Sequence, residues 1–423
     1  MNRVQAVALA LVLLTTSAHA QTNAAAARID RILREVPLIE GHNDLPGQYE
    51  ERVKNHLAQL DIGQDQSKLT PALHTDIARL RQGRVGGQFW SVYVPATLKG
   101  ADAVRAVLEQ IDVVHRLDER YPDTFELART ADDVVRIHRS GKIASLIGME
   151  GGHSIGNSLA VLRQTYAIGA RYMTITHSAN NDWADSATAD PIHGGLTPFG
   201  KLVIAEMNRL GMLVDLSHVA PKTMHDILDV AVAPVIFSHS SARALTDHAR
   251  NVPDDVLRRV KENDGVVMVT WVPGFVSEKV RARGAAKDAE EARLKALYQG
   301  QPEKMKAALA HWEAANPVPR ATVQDIADHI DHIVQVTGAA HAGIGADLDG
   351  ITTTPEGLES VAAYPSVFAE LIRRDYTDEQ LKAIAGRNVL RVMRKAEAVA
   401  ARLQKERPPS DARIEEVDKP ATA

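Results

Sequence analysis

The chain has 423 residues, enough for one large α/β barrel or two ordinary domains. Charged side chains make up 24% of it, both signs are interspersed and the net charge is −5, which leaves no basic footprint for nucleic acid or an anionic membrane and points to a small-molecule partner. The absence of cysteine excludes disulfides, thiol nucleophiles and cysteine-ligated metals.

From the N-terminus, Arg3, the apolar run Val4 to Leu14 and the triplet Ala18-His19-Ala20 follow the secretory pattern. Residues 1–20 are therefore expected to be a signal peptide cleaved near Ala20, and the mature chain to be exported, periplasmic or secreted. No later stretch approaches the roughly 20 apolar residues of a membrane span, so no membrane anchor is expected. Residues 21–405 read as one domain. Apolar, β-branched runs of strand length lie at 38–43, 87–94, 143–149, 172–176, 212–217, 234–238, 266–271 and 342–346. Between most of them lie segments of helical period, at 101–120, 132–139, 159–168, 199–210, 222–230, 254–261 and 322–336. Strands apolar on both faces that alternate with helices predict a parallel sheet, and eight such units predict a closed (β/α)8 TIM-type barrel. The alternation breaks twice. Residues 45–86 show no clear barrel helix, and 277–320, rich in Ala, Lys, Arg and Glu, read as a charged helical insertion before the last strand, either a lid or a solvated excursion. A C-terminal helix is predicted over 378–403 and a disordered tail over 406–423.

The strand-like runs share a further property: several close on a ligand-type side chain. His42 and Asp44 alternate at the end of the first, so an imidazole and a carboxylate project to one face. Glu150, His177, His218, His239 and Asp347 close later runs. In a barrel all these positions fall at C-terminal strand ends, where active sites of this architecture sit. His42, Asp44, Glu150, His218 and His239 form a nitrogen and oxygen donor set that suits zinc better than calcium or magnesium. Five donors divide over two ions if Glu150 bridges, with His42 and Asp44 on one side and His218 and His239 on the other. Two such ions can share a hydroxide that is deprotonated near neutral pH. Asp347, with Asp349 as the competing assignment, is placed to exchange a proton with that hydroxide and the leaving amine. His177 either polarises the substrate carbonyl or is a further ligand. Arg250 either holds a substrate carboxylate or forms a salt bridge. His153 is expected to support Glu150.

The segments His42-Asn43-Asp44-Leu45-Pro46, Gly86 to Tyr93, Gly151 to Ile155 after Glu150, Thr176-His177-Ser178, Phe237 to Ser241 and Arg250 to Asp255 together resemble the membrane (renal) dipeptidase family of the amidohydrolase superfamily. The resemblance runs from about residue 30 to about residue 398. It implies a binuclear zinc dipeptidase, with His42 and Asp44 on one zinc, His218 and His239 on the other and Glu150 on both. It also implies substrate-binding roles for His177 and Arg250 and a catalytic acid/base role for Asp347. Dipeptide substrates, tolerance of a C-terminal D-residue and a homodimer are implied in the same way. The chain departs from the animal proteins in lacking cysteine, in its charged, polar tail and in the longer insertion at 277–320, which bears on the pocket rim. Hydrolysis of a lactone, β-lactam or other amide, and a non-catalytic exported binding protein, are the competing readings.

Overall fold

A computed structural model describes residues 23–418; the expected signal peptide lies outside them. Nine parallel strands form one sheet: β1 (Leu38–Asn43), β2 (Val85–Tyr93), β3 (Phe125–Leu127), β4 (Ile143–Glu150), β5 (Ala170–Thr174), β6 (Leu213–Asp215), β7 (Ile236–Phe237), β8 (Val266–Val269) and β9 (Ala342–Ile344). β1 pairs with β2 on one side and β9 on the other, and β2 pairs with β4, so eight strands close a (β/α)8 barrel. The additional strand, β3, follows from register. β4 carries β2 along one edge, and the other is divided between β3 at Ile143 to Ser145 and β5 at Ile147 to Glu150.

Helices cover the barrel: α1 (Leu45–Val53), α2 (Ile77–Gln82), α3 (Gly100–Arg120), α4 (Ala131–Arg139), α5 (Leu159–Ala167), α6 (Pro198–Leu210), α7 (Pro221–Val230), α8 (Asp254–Asn263), α9 (Glu278–Leu297), α10 (Pro302–Ala315), α11 (Val323–Thr337), α12 (Tyr364–Arg373) and α13 (Asn388–Glu406). Local chemistry sets their ends. Thr130 and Asp133 form a reciprocal capping box at the start of α4. Pro198 opens α6, and Gly211, at φ 87°, closes it in the left-handed conformation. Every residue of β1 and β4 is buried, as strands covered on both faces require. Ile39, Phe89, Leu146, Tyr172 and Met268 form one buried cluster with Val134 of α4 and Met393 of α13, while Ile147 and Met149 belong to a second, larger one.

Two regions differ from the sequence reading, and a third, the insertion, matches it. Residues 45–86 do contain helices, α1 and α2, but α1 starts on Leu-Pro-Gly and buries only Leu45, Pro46 and Tyr49, so its period is faint. The tail does not hang free over its described part. The Asp418 carboxylate accepts hydrogen bonds from Thr197 Oγ1 at 2.5 Å and from the Phe199 amide at 2.9 Å, at the N-terminus of α6, where an anion is favoured. α9 and α10 form the expected helical pair, held by Lys287 with Glu313 at 2.6 Å and by Arg283 over the Trp312 ring. Neither helix lines the barrel mouth. Among the described residues, no helix is long and apolar enough to cross a membrane.

Candidate metal centre at the barrel mouth

The strand ends bring the side chains together. His42 and Asp44 flank Asn43, which bridges to Leu348 beyond β9; the His42 carbonyl accepts from the Asp347 amide at 3.1 Å and the Asp44 amide donates to Leu348 O at 3.0 Å. That pairing sets Asp347 beside Asp44. A Cβ on Gly350 would run into both carboxylates, so glycine there lets them face one another. His218, at φ 69°, and Asp347, at φ 66°, occupy the left-handed region that side chains seldom adopt, a local strain that the surrounding structure holds in place.

Glu150 lies at the centre. Its Oε2 is 3.4 Å from His42 Nε2, and its Oε1 is 3.1 Å from His218 Nε2 and 3.6 Å from both His239 Nε2 and His177 Nε2. His42 Nε2 is also 3.4 Å from Asp44 Oδ2. Three overlapping groups could each hold a cation: His42, Glu150 and His239; Glu150, His177 and His218; His42, Asp44 and Asp347. The proximities do not divide the five expected ligands cleanly in two, because His239 lies as near to His42, at 3.9 Å between ring centres, as to His218, at 4.9 Å. His177 sits at the rim against Tyr93, its ring centre 4.3 Å from that of His218.

Electrostatics separate these groups. Burial disfavours charge on Glu150, but His42, His177 and His218 outweigh it and hold the carboxyl well below its usual range. Burial likewise opposes charge on His42, yet Tyr172, Glu150 and Asp44 keep its pKa well above that of a free imidazole. Burial, then Arg250 and neighbouring imidazoles, push His218 and His239 well below it. Burial and the Asp44 and Glu150 carboxylates hold Asp347 well above the ordinary carboxylate range.

Arg250 is 3% exposed behind His239, its Nη2 donating to His239 O at 3.3 Å and its Nη1 to Ser240 Oγ at 3.4 Å. Burial lowers its pKa to about 10, so it stays cationic at neutral pH, and it makes no ion pair among the described residues. Asp349 also lines the mouth but is engaged by His74: its Oδ1 accepts from the His74 amide at 2.6 Å and its amide donates to His74 Nδ1 at 2.8 Å. His153 does not reach Glu150. It bonds the Pro95 carbonyl, and Ser91 Oγ, to which the sequence reading gave no role, donates to Glu150 Oε2 at 3.1 Å. Tyr172 and Asp215 were also missed, although Asp215 is a carboxylate closing the apolar run of β6. The mouth is a cavity of about 790 Å³ lined by Asp44, Glu150, His177, His218 and Asp347 and, among others, by Gln48, Arg52, His74 and Tyr93.

Residues 26–407 match the family model described as membrane dipeptidase (peptidase family M19). The chain is 40% identical over 385 residues to "Dipeptidase verJ" of Clonostachys rogersoniana, covering 88% of each. Its fold is similar to that of the probable dipeptidase PvdM from Pseudomonas aeruginosa, with TM-score 0.75 and 23% identity over 89% of this chain and 100% of the other. It is also similar to a metallo peptidase from Rhodobacter sphaeroides solved with a phosphinate mimic of the dipeptide L-Ala-D-Ala, with TM-score 0.70 and 22% identity over 85% and 99%. The donor-rich barrel mouth and the match along nearly the whole described chain lead to one assignment: this protein belongs to the membrane dipeptidase family of metallopeptidases.

Proposed function

We propose that the chain is an exported, binuclear zinc dipeptidase that accepts a D-residue at the C-terminal position. The observation that carries this reading is the gathering of His42, His218 and His239 around Glu150, with Asp44 against His42, next to a buried guanidinium that has no carboxylate partner among the described residues.

The donor atoms fit a pair of cations. His42 Nε2 is buried and makes no hydrogen bond among the described residues. The Nε2 atoms of His218 and His239 face each other at 2.9 Å, a contact between lone pairs that a cation, or a proton, must relieve. His42 and Asp44 would hold one ion, His218 and His239 the other, and Glu150 both. Ions bound there supply Lewis acidity and a water whose pKa is lowered towards neutrality.

The chain's own residues do the rest. Arg250 neutralises the free C-terminal carboxylate by charge-assisted hydrogen bonds, which selects short substrates with an open C-terminus. His177, at the rim beside Tyr93, donates a hydrogen bond to the scissile carbonyl oxygen as negative charge develops on it. Asp347 in its ionised form accepts a proton from the attacking water, is left protonated, the form that its burial and the neighbouring carboxylates favour, and then delivers that proton to the departing nitrogen. The family resemblance and the dipeptide-mimic ligand of the Rhodobacter sphaeroides protein support the dipeptide and D-residue parts of the reading.

The test is a matched panel of L,L and L,D dipeptides, each also as its C-terminal amide, with zinc-loaded and chelated protein and metal content measured in parallel. Two zinc ions per chain and turnover of both free-acid series are expected. Arg250→Ala should raise KM for the free acids by on the order of 10–100-fold, the worth of a charged hydrogen bond, and leave the amides unchanged. Equal turnover of acids and amides by the unaltered protein would remove Arg250 from the substrate site.

A further inference from the structure

Two of the expected zinc ligands are held from behind by hydroxyl groups whose own protons are already committed. Ser238 Oγ donates to Asp215 Oδ2 at 2.6 Å and lies 2.8 Å from His239 Nδ1. Asp215 is fully buried and accepts three further bonds, from Thr174 Oγ1 at 2.6 Å, the Ser217 amide at 3.1 Å and the Ser238 amide at 2.8 Å. A carboxylate met by four donors offers no proton, so the single Ser238 proton points to Asp215 and Ser238 Oγ must accept from His239 Nδ1–H. The neutral ring then presents a lone pair at Nε2.

On the other side of the cup the same logic runs through a phenol. Tyr172 Oη donates to the Gly41 carbonyl at 3.2 Å and lies 2.8 Å from His42 Nδ1. A carbonyl only accepts, so Tyr172 Oη receives the His42 Nδ1 proton, and Nε2 is the ring nitrogen left to give up its proton to a cation. Gly148 makes room for this ring, since a Cβ there would overlap the Tyr172 phenol. His218 has no such support, its Nδ1 being without a hydrogen-bond partner among the described residues.

We infer that Asp215, acting through Ser238, and Tyr172 are positioning residues that fix the Nδ1–H tautomers of His239 and His42 and so make their Nε2 atoms metal ligands. This rests on the ligand assignment proposed above. It reaches residues that touch neither ion nor substrate, and it makes a prediction that packing alone does not. In Asp215→Asn the side-chain oxygen can keep the two backbone bonds while the new NH2 faces the hydroxyls. Ser238 would then accept from the amide and turn its own proton onto His239 Nδ1, which drives the ring proton to Nε2 and blocks the ligand atom. Ser238→Ala only removes the preference, leaving the ring free to choose.

The experiment measures zinc affinity of the full chain by competition with a chromophoric chelator. The ring tautomers are read separately, by long-range ¹H–¹⁵N spectra of ¹⁵N-histidine-labelled, metal-stripped protein. Ser238→Ala is expected to weaken one zinc by about 10-fold, and Asp215→Asn by about 100-fold or more, with one histidine changing from the Nδ1–H to the Nε2–H pattern. Tyr172→Phe should weaken the other zinc alone, by about 10-fold. Thermal unfolding of each metal-stripped variant reports folding; should Asp215→Asn not fold, the single-hydroxyl variants carry the test through their selectivity for different ions. The inference is overturned if Asp215→Asn binds both ions as tightly as the unaltered chain or shows no tautomer change, or if both single-hydroxyl variants leave affinity untouched. Failure of the unaltered protein to take up two zinc ions would count against the ligand assignment instead, and the metal-free spectra would still decide the His239 tautomer.

Discussion

The two ends of β4 each hold a shielded carboxylate, and they behave in opposite ways. Near the start of the strand, Asp118 of α3 accepts from Ser145 Oγ at 2.5 Å, while Ser145 accepts from Trp90 Nε1 at 3.1 Å; its other oxygen has no partner among the described residues. Burial pushes this carboxyl up to about 7, with Glu126 and Glu119 adding to the rise. At the end of the same strand, Glu150 is at least as deeply buried, yet His42, His177 and His218 hold it well below its usual range. Burial alone makes an acid reluctant to ionise. What differs is the company: one hydroxyl against a ring of imidazole nitrogens. A carboxylate that remains charged in such a setting is one that nearby cationic groups compensate, which is the condition for holding metal.

The largest effect should come from removing the charge at the end of β4. Glu150→Gln keeps shape and takes away the anion that both proposed ions share, so zinc affinity is expected to fall by more than roughly 100-fold, beyond the loss caused by a supporting residue, and turnover to vanish with it. Metal-to-protein ratio after dialysis reads this directly. A variant that retained two ions would show that the imidazole ring around Glu150 is not a metal centre. Next in size is Asp347→Asn, expected to lower kcat by about 10²–10⁴-fold with both ions retained, because it removes a proton carrier and no proposed ligand. Full turnover in that variant would leave the proton transfer to another group.

The contrast also marks what was legible in the sequence. Eight barrel strands announce themselves because buried parallel strands are continuous apolar runs, and Glu150, His218 and His239 stand out as polar side chains that close such runs. β3 escaped because it has only three residues and pairs only with the start of β4. The Asp215 and Ser238 contact is invisible in one dimension. It depends on the register that sets Asp215 opposite Ile236, two residues before Ser238, and no local pattern encodes a neighbour on the next strand. Arg250 shows the same limit from the other direction. Its spacing fits a surface salt bridge or a buried substrate clamp equally, and only its burial and its lack of a carboxylate partner among the described residues separate the two. The insertion, in contrast, is readable as helix but not as lid, because composition fixes solvation and says nothing of where the helices lie.

The smallest and most diagnostic effect belongs to the other end of β4. Asp118 titrates at about 7 in the folded chain and near 4 when unfolded. Between those values the folded protein carries a proton that the unfolded chain has released, so stability from this group is fully present below about pH 4 and declines as pH rises, levelling off above about 7. One group contributes a slope of at most about 1.4 kcal/mol per pH unit. Asp118→Asn is a neutral copy of the protonated form and can still accept from Ser145. Its urea midpoint should match that of the unaltered protein near pH 4 and exceed it near pH 8, and the difference between the two proteins cancels whatever the barrel mouth contributes. Parallel curves would mean that Asp118 ionises without cost despite its unpaired oxygen, and the distinction drawn between the ends of β4 would then rest on Glu150 alone.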